Sequence, residues 1–333
     1  MDYFRLLYNL IDRTDLIRKE DYMEDNKIIP IVYAVDDNYV PFMCVSLKSI
    51  IDNSSRGCFI RVFVLNTGLS DENKEKIERF IKDNSDSVEL EYVDVAGRMD
   101  KIVSKMHLRD YYTKAIYFRI FIPSLFSQYE KIIYVDCDTV FLGDICELYN
   151  VDLKNNIVAA IHEEAMSSYE CFGLYSEVFL DVPRLNYFNS GLLVINNPVY
   201  NFERIETKFI NLMLSEKFEV APDQDCLNVL LKNRVMLLDV GWNKTPIPDK
   251  AFPDEEVKVI HYKLNFKPWH YRGIRYEEYF WNYAEKTPYY DTLLSMLDGY
   301  SEADRENDSR AFSNLKQMAL DYVKIKRAKK VLG

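Results

Sequence analysis

The stretch KIIYVDCD, residues 131–138, is the most informative part of the sequence for the fold. Residues 132–135 form an unbroken apolar run, which is typical of a strand buried on both faces of a parallel sheet. The run ends at Asp136 and Asp138. Because ligands of open α/β sheets bind beyond the carboxyl ends of the strands, acids at this position indicate a binding site.

The chemistry of this segment points to a metal ion. The two aspartates stand at positions i and i+2 of an extended segment, so both carboxylates can reach one cation. Hard oxygen ligands suit Mn²⁺ or Mg²⁺, which bridge diphosphate oxygens. Segment 259–270, VIHYKLNFKPWH, adds His261, which can supply a third ligand, and Lys267, which can approach a diphosphate as a point charge.

Strands and helices alternate on the amino-terminal side of this stretch. The predicted strands are residues 28–35, 59–66 and 88–95, and the predicted helices are 40–51, 70–84 and 111–126. Alternation at this pitch is the pattern of βαβ units. Beyond residue 150 the pattern is mixed, with strands predicted at 155–162, 191–197, 234–240 and 257–262 and helices at 203–217 and 222–233. The fold class predicted is α/β, with a Rossmann-like, mostly parallel sheet covered by helices on both faces.

Three segments are predicted: a charged helical extension (1–27), one catalytic domain (28–285) and a helical tail (286–333). Within the tail, residues 315–333 carry six Lys/Arg against one Asp, and apolar residues recur at helical spacing. These are Leu315, Met318, Ala319, Tyr322 and Ile325. A basic amphipathic helix of this kind can lie on an anionic membrane surface, or it can pack on its own domain with a solvated basic face.

The composition limits the remaining possibilities. The 333 residues carry a formal net charge of −11, which argues against nucleic acid as a partner. The six cysteines form no CxxC pair, so we expect neither a zinc site nor a disulfide framework. The chain shows no signal-peptide pattern and no apolar run long enough to span a membrane, so we expect a cytoplasmic protein. The oligomeric state is left undefined.

Six segments, in order, carry a resemblance to a known family. They are IVYAVDDNYV (31–40), YFRIFIP (117–123), KIIYVDCDTVFLGD (131–144), YFNSGLLVIN (187–196), PDQDCLN (222–228) and HYKLNFKPWH (261–270). The chain resembles the family 8 glycosyltransferases, a retaining group that includes glycogenin and bacterial lipopolysaccharide galactosyl- and glucosyltransferases. The resemblance implies a GT-A type fold, a UDP-sugar donor carrying glucose or galactose, a glycan acceptor and Mn²⁺ or Mg²⁺.

The resemblance also implies roles for individual residues. Asp136, Asp138 and His261 match the family's metal ligands. Residues that match the donor-binding positions are Ala34, Asp36, Asn38, Arg119, Asn189, Ser190, Gly191 and Lys267. Asp223 and Gln224 match the pair beside the reacting carbon of the sugar.

Two departures from the family pattern concern the phosphate and acceptor positions. A glycine usually follows the His-Tyr pair by three to four residues, but this chain has Lys263, Leu264 and Asn265 in that region. Asn tolerates left-handed backbone better than most residues, so we expect Asn265 to replace the glycine. After the strand at 155–162, His162-Glu163-Glu164 stands where galactosyltransferase relatives carry an acceptor-binding acid.

The predicted activity is retaining transfer of a hexose to a glycan, lipid-linked glycan or protein-glycan acceptor, with front-side attack favoured because Gln224 is an amide and a poor nucleophile. Two alternatives stay open at this point. A nucleotidyltransferase or sugar-nucleotide hydrolase would also use strand-end acids and a lysine, although the G-x-x-x-x-G-K-[ST] phosphate loop is absent from the sequence. The other alternative is a non-catalytic protein of the same fold that binds UDP-sugars.

Overall fold

The structure, a computed structural model, describes residues 28–98, 114–247 and 252–332. The predicted extension at 1–27 lies outside the described residues, as do positions 111–113 of the predicted helix at 111–126. Within these ranges the strands are β1 Ile28–Ala34, β2 Phe59–Asn66, β3 Val88–Asp94, β4 Lys131–Val135, β5 Thr139–Phe141, β6 Val158–His162, β7 Phe188–Asn196, β8 Val235–Leu238 and β9 Val259–His261.

Seven of these strands form one sheet in the order β3-β2-β1-β4-β7-β6-β8. Strands β1 to β4 pair in parallel, as do β6 and β8. Strand β7 runs antiparallel to both of its neighbours, β4 and β6. The predicted mostly parallel sheet is confirmed, and the reversed strand β7 was not predicted. Its direction places the start of β7 beyond the end of β4, where the backbone N–H of Asp136 donates to the carbonyl oxygen of Gly191 (2.7 Å).

A small second sheet joins the acid segment to the histidine segment. Strand β5 follows Asp138 directly and pairs antiparallel with β9, so that Thr139 lies opposite His261. The backbone N–H of Tyr262 donates to the carbonyl oxygen of Asp138 (2.9 Å). The predicted continuous strand at 131–138 is therefore divided, and Asp136 and Asp138 lie in the turn between β4 and β5. This turn allows both carboxylates to face His261, which lies 123 positions after Asp138 in the sequence.

Helices cover both faces of the large sheet. The α-helices are α1 Val40–Asn53, α2 Asp71–Asn84, α3 Ile122–Leu125, α4 Ile145–Tyr149, α5 Glu164–Ser168, α6 Glu170–Leu174, α7 Asn197–Phe202, α8 Ile205–Ser215, α9 Pro222–Leu230, α10 Glu277–Ala284, α11 Tyr290–Gly299 and α12 Glu302–Leu332. Helix α2 begins as predicted after Ser70, whose hydroxyl accepts from the backbone N–H of Asn73 (3.3 Å). The described part of the predicted helix at 111–126 is a 3₁₀ helix over Lys114–Phe121 followed by the single turn of α3.

Two hydrophobic cores lie on opposite faces of the sheet. One core contains α1 together with α10 and α11, through residues such as Phe280 and Leu293. The other contains the 3₁₀ helix, α8, α9 and part of α12, where Ala319 and Val323 are buried. Of the predicted apolar stripe in the tail, Leu315, Met318, Ala319 and Tyr322 pack on this second core, while Ile325 is half exposed. Packing of the tail helix on its own domain therefore accounts for most of its predicted apolar residues.

The cysteine expectation was wrong in one respect. Cys58, which precedes β2, and Cys146, in α4, form a disulfide across 88 residues of sequence. The spacing of the cysteines does not reveal this pair because the sheet topology, and not local sequence, brings the two positions together. Among the described helices, none combines the length and apolarity that crossing a bilayer requires.

Candidate active site

The predicted metal ligands converge at the carboxyl end of β4. Ligand atoms of Asp136, Asp138 and His261 all lie within 4.8 Å of one another. The Nε2 atom of His261 is 3.0 Å from Oδ1 of Asp138 and 3.8 Å from Oδ2 of Asp136. Neighbouring ligands of an octahedral ion with bonds of about 2.1 Å lie about 3 Å apart, so this cluster has the dimensions of a divalent-ion site.

In each aspartate, one carboxylate oxygen accepts hydrogen bonds from neighbouring side chains, and the other oxygen faces His261. Oδ1 of Asp136 accepts from Arg119 (3.0 Å) and from the Tyr134 hydroxyl (2.6 Å), which leaves Oδ2 facing His261. Oδ2 of Asp138 accepts from Lys267 (3.0 Å), which leaves Oδ1 facing His261. Burial alone would raise the pKa of Asp138, but the charge of Lys267 and the contacts with Lys267 and His261 outweigh burial and hold this pKa well below its usual range. Asp138 is therefore an ionised carboxylate held in one orientation, as a metal ligand would need to be.

Gly191 supplies the space for this cluster. A Cβ atom at this position would collide with the Asp136 carboxylate and the His261 ring. Only glycine lets β7 pass so close to both side chains. The donor set of two carboxylates and one imidazole, together with the space left by the missing Cβ of Gly191, fits Mn²⁺ or Mg²⁺.

A cavity next to the metal ligands is lined by residues of the β1 loop, the 3₁₀ helix and the acid segment. They are Ala34, Asp36, Tyr39, Ala115, Ile116, Arg119, Tyr134, Asp136, Cys137 and Asp138. Ala34 and Asp36 thus line the cavity, while Asn38 is exposed and its backbone N–H donates to the Asp36 carboxylate (3.0 Å). Cys137 is buried between the two acids, with its thiol near the carbonyl oxygen of Ala34 (3.7 Å).

The predicted sugar-binding residues form one hydrogen-bonded group at the start of β7 and α9. Asp223 is buried, accepts from the Ser190 hydroxyl (3.1 Å) and pairs with Arg119 (3.4 Å). Burial raises the pKa of Asp223 above its ordinary value, although Arg119 opposes the shift. Oε1 of Gln224 accepts from the Ser190 N–H (2.9 Å) and the Asn189 side chain (3.1 Å). Arg119 touches Asp136, Ser190 and Asp223, and so links the predicted metal ligands to the predicted sugar-binding residues.

Beneath this group lies a buried carboxylate that we did not predict. Asp225 accepts from the hydroxyls of Tyr175 (2.8 Å) and Tyr187 (2.6 Å) and from the Ala221 N–H (3.0 Å). Burial raises the pKa of Asp225 to about 7, with these hydrogen bonds opposing the shift. The Tyr187 hydroxyl also accepts from Nε2 of Gln224 (3.3 Å), so Asp225 and Tyr187 together orient the Gln224 amide.

The loop after β9 corrects one expectation. Leu264, not Asn265, adopts the left-handed conformation, with φ of 56°. The side chain of Leu264 is half-buried against the second core, and this packing helps to hold a leucine where glycine would be less strained. Lys267 lies beyond this turn and also donates to the Tyr262 carbonyl oxygen (3.1 Å).

Two glutamates after β6 form buried ion pairs that the sequence did not reveal. Glu163 pairs with Lys263 (2.5 Å), and Glu164 pairs with the fully buried Lys244 (2.5 Å). Asn243, a further buried polar residue, contacts Nδ1 of His261 (2.9 Å). For Glu163, the sequence does offer one indication, which is the occurrence of two acids directly after a buried strand. Asn243 lies 18 positions before His261, and no motif marks it.

Comparison with known proteins agrees with this geometry. The model of the glycosyl transferase family 8 matches residues 30–273. General stress protein A of Bacillus subtilis is 29% identical over 267 residues, covering 74% of this chain and 89% of the relative. A lipopolysaccharide 1,2-glucosyltransferase of Escherichia coli is 25% identical over 270 residues, covering 75% of this chain and 77% of the relative.

A solved structure supports the same assignment. The apo structure of the bifunctional glycosyltransferase WbbM is 26% identical and superposes with a TM-score of 0.69, covering 81% of this chain. This chain spans about half of that protein, 51% of its length. The family match extends from β1 past the left-handed turn at Leu264 and includes every residue that the sequence predicts for the site. The chain is a member of glycosyl transferase family 8.

Proposed function

We propose that this protein is a retaining hexosyltransferase that uses a UDP-sugar, UDP-glucose or UDP-galactose, and Mn²⁺ or Mg²⁺ held by Asp136, Asp138 and His261. The observation that carries the proposal is the convergence of these three side chains with Lys267 at the end of β4. A bound divalent ion would stabilise the charge that develops on the departing diphosphate. Lys267, which already contacts Asp138, is placed to contribute to the same stabilisation.

The donor is proposed to lie across the cavity with its nucleoside near the β1 loop and its sugar near β7. Ala34 and Asp36 line the nucleoside end, and we propose that Asn38 approaches the same end from the exposed side of that loop. Asn189, Ser190 and Gly191 form the sugar end next to the metal ligands. Arg119 is fixed between both ends by its contacts with Asp136 and Asp223.

The arrangement favours attack of the acceptor on the same face from which UDP departs. Oε1 of Gln224 accepts two hydrogen bonds, so both of its lone pairs are occupied and it is a poor nucleophile. Asp223 is buried and held by Arg119 and Ser190, which suits it to position sugar hydroxyls. The departing phosphate oxygen would take the acceptor proton, and the transition state would have oxocarbenium character.

The acceptor is proposed to be a glycan. Relatives include lipopolysaccharide 1,2-glucosyltransferase and lipopolysaccharide 1,3-galactosyltransferase, whose names favour a lipid-linked glycan here. The exposed basic residues of α12 support peripheral contact with an anionic membrane surface. These are Lys324, Lys326, Arg327 and Lys329, next to the half-exposed Ile325.

Release of UDP from UDP-glucose and UDP-galactose, measured with Mn²⁺, Mg²⁺ or EDTA, tests the proposal. Wild type is expected to release UDP from one donor in a metal-dependent manner. The double variant Asp136→Ala/Asp138→Ala is expected to lose release by at least a hundredfold, in line with removal of ligands that an ion requires. A matched control is Glu91→Gln/Asp94→Asn, which removes two exposed carboxylates from β3 and should behave as wild type.

Two further results would discriminate among the alternatives. No release from either donor, with no UDP binding by calorimetry, would favour a non-catalytic protein. Release of sugar 1-phosphate and UMP in place of UDP would indicate a hydrolase. Asp223→Asn should lower turnover with little effect on UDP binding; unchanged turnover would contradict the role proposed for Asp223.

A further inference from the structure

A continuous line of hydrogen bonds connects Glu163 to the candidate metal ligand His261. Oε2 of Glu163 accepts from Nδ2 of Asn189 (2.6 Å). Oδ1 of Asn189 accepts from Nδ2 of Asn243 (2.9 Å), and Oδ1 of Asn243 faces Nδ1 of His261 (2.9 Å). All four side chains are buried.

The chemistry of the two ends fixes the direction of every bond in this line. An ionised carboxylate only accepts, so Asn189 must present its NH₂ group to Glu163. The Gly191 N–H, which only donates, contacts the other end of the Asn189 amide (2.9 Å) and requires oxygen there. Asn243 must then present its NH₂ group to Asn189 and its oxygen to His261.

His261 can satisfy this oxygen in one way only, by donating its Nδ1 proton. The neutral ring then carries its free lone pair on Nε2, the atom that faces Asp136 and Asp138. Asp138 competes for the ring proton, because its Oδ1 lies 3.0 Å from Nε2 and would accept a proton placed there. The tautomer is therefore decided by the balance between Asn243 on one side of the ring and Asp138 on the other.

We propose that Glu163 is a positioning residue that fixes the tautomer of His261 through the two asparagines, and so keeps Nε2 available to the metal. This inference rests on the proposed function, because it concerns the same metal site. Glu163 suits the role because Lys263 and the Ala165 N–H hold its other oxygen, Oε1. Burial alone would raise the pKa of Glu163, yet Lys263 and the hydrogen bonds outweigh burial and lower it, so the side chain remains an acceptor.

This role differs from that of the acid that binds acceptor in relatives. Both carboxylate oxygens of Glu163 are engaged by protein donors, and the residue is 4% exposed. The backbone N–H of Ala165, at the start of α5, further fixes the carboxylate in place. A group in this position can orient its neighbours but has little surface to offer a sugar hydroxyl.

The decisive variant is Glu163→Gln/Lys263→Met, which removes both members of the ion pair and leaves the net charge of the site unchanged. Without Glu163, the Asn189 amide loses its charged acceptor and is oriented only by uncharged groups, the Gly191 N–H and Oε1 of Gln224. Mn²⁺ binding in the presence of UDP is expected to weaken about tenfold, the lower end of the effect of losing an outer-shell partner. The matched control is Glu164→Gln/Lys244→Met, which removes the adjacent buried pair and leaves Asn189 untouched; it should bind Mn²⁺ as wild type does.

A second measurement reads the tautomer directly. Nitrogen-15 NMR of histidine-labelled protein at pH 8, with EDTA to remove divalent ions, should show His261 as the Nδ1–H form in wild type. The charge-balanced variant should show a mixture of the two tautomers. If that variant does not fold, Asn243→Leu removes the acceptor of the Nδ1 proton and should shift His261 towards the Nε2–H form, because Asp138 then accepts the ring proton without competition from Asn243.

The outcomes separate this inference from the proposed function. Wild-type affinity for Mn²⁺ together with an unchanged tautomer in the folded variant would overturn the role of Glu163 and leave the metal site intact. Absence of Mn²⁺ binding by wild type would overturn the proposed function itself, and the inference with it. Weaker binding with an unchanged tautomer would also overturn the inference, since a purely structural effect would then explain the loss.

Discussion

Replacing Gly191 with alanine is expected to disable the metal site without unfolding the protein. The backbone at this position lies outside the left-handed region, so a side chain adds no conformational strain. The new Cβ would, however, collide with the Asp136 carboxylate and the His261 ring. Metal-ligand distances tolerate changes of only about 0.2 Å, and relieving the collision requires a larger separation of these two ligands.

The magnitude follows from the loss of one well-placed ligand. Disturbing the residues that orient metal ligands typically weakens metal binding about 10- to 100-fold, or about 1.4–2.7 kcal/mol. Overpacking a buried position costs about 1–3 kcal/mol of stability, less than the about 5–15 kcal/mol that a folded domain typically has. Gly191→Ala should therefore melt cooperatively, at a somewhat lower temperature, and bind Mn²⁺ at least tenfold more weakly.

Calorimetric titration with Mn²⁺ in the presence of UDP, paired with thermal melting, measures both quantities. Gly299→Ala is the control, because a Cβ at Gly299 meets no atom within 4 Å. If Gly191→Ala folds and binds Mn²⁺ within twofold of wild type, the ion does not lie between Asp136 and His261. The metal assignment would then have to be abandoned.

Three other predictions test different parts of the structure. Burial raises the pKa of Asp225 to about 7, so its protonated form stabilises the fold at low pH and this contribution is lost as the pH rises. Relative to Asp225→Asn, wild type should lose up to about 4 kcal/mol of unfolding free energy between pH 4 and 7 in urea titrations, and a constant difference would contradict the shift. Leu264 has a left-handed backbone, so Leu264→Gly should be more stable than Leu264→Ala by about 1 kcal/mol in the same assay; the opposite order would show that the turn is not strained. Truncation after Val323 removes the exposed basic end of α12 and should weaken binding to anionic phospholipid vesicles without changing UDP release, whereas unaltered vesicle binding would exclude this end as the contact.

Much of the fold was predictable because buried parallel strands and the helices between them have strong local signals. Strands β1 to β3 and helices α1 and α2 lie within about a residue or two of the predicted ranges. The reversed direction of β7 was not predictable from its apolar residues, since a strand buried on both faces looks alike in either direction. That direction matters for the site, because it brings Gly191 beside Asp136.

The residues of the candidate site that belong to sequence motifs were predictable. Residues that only orient other side chains were not. Asp136, Asp138 and His261 were expected together, and the structure brings them together. Asn243, and the line of hydrogen bonds that joins Glu163 to His261, emerged only from the three-dimensional structure, because hydrogen-bond partners between separate loops leave no spacing pattern in the sequence. The left-handed position was misplaced by one residue, since backbone preference favoured Asn265 while the packing of the loop sets the conformation.

The contacts of Arg119 have a thermodynamic consequence. Arg119 and Lys267 provide two positive charges in direct contact with three carboxylates, those of Asp136, Asp138 and Asp223. The cluster thus carries one net negative charge, which a divalent cation reverses and a diphosphate restores. Cation and nucleotide should therefore bind with positive coupling, each increasing the affinity of the other by the same factor, as linkage requires. A diphosphate alone would add its negative charge to a cluster that is already negative, so the nucleotide is expected to enter most favourably as its metal complex.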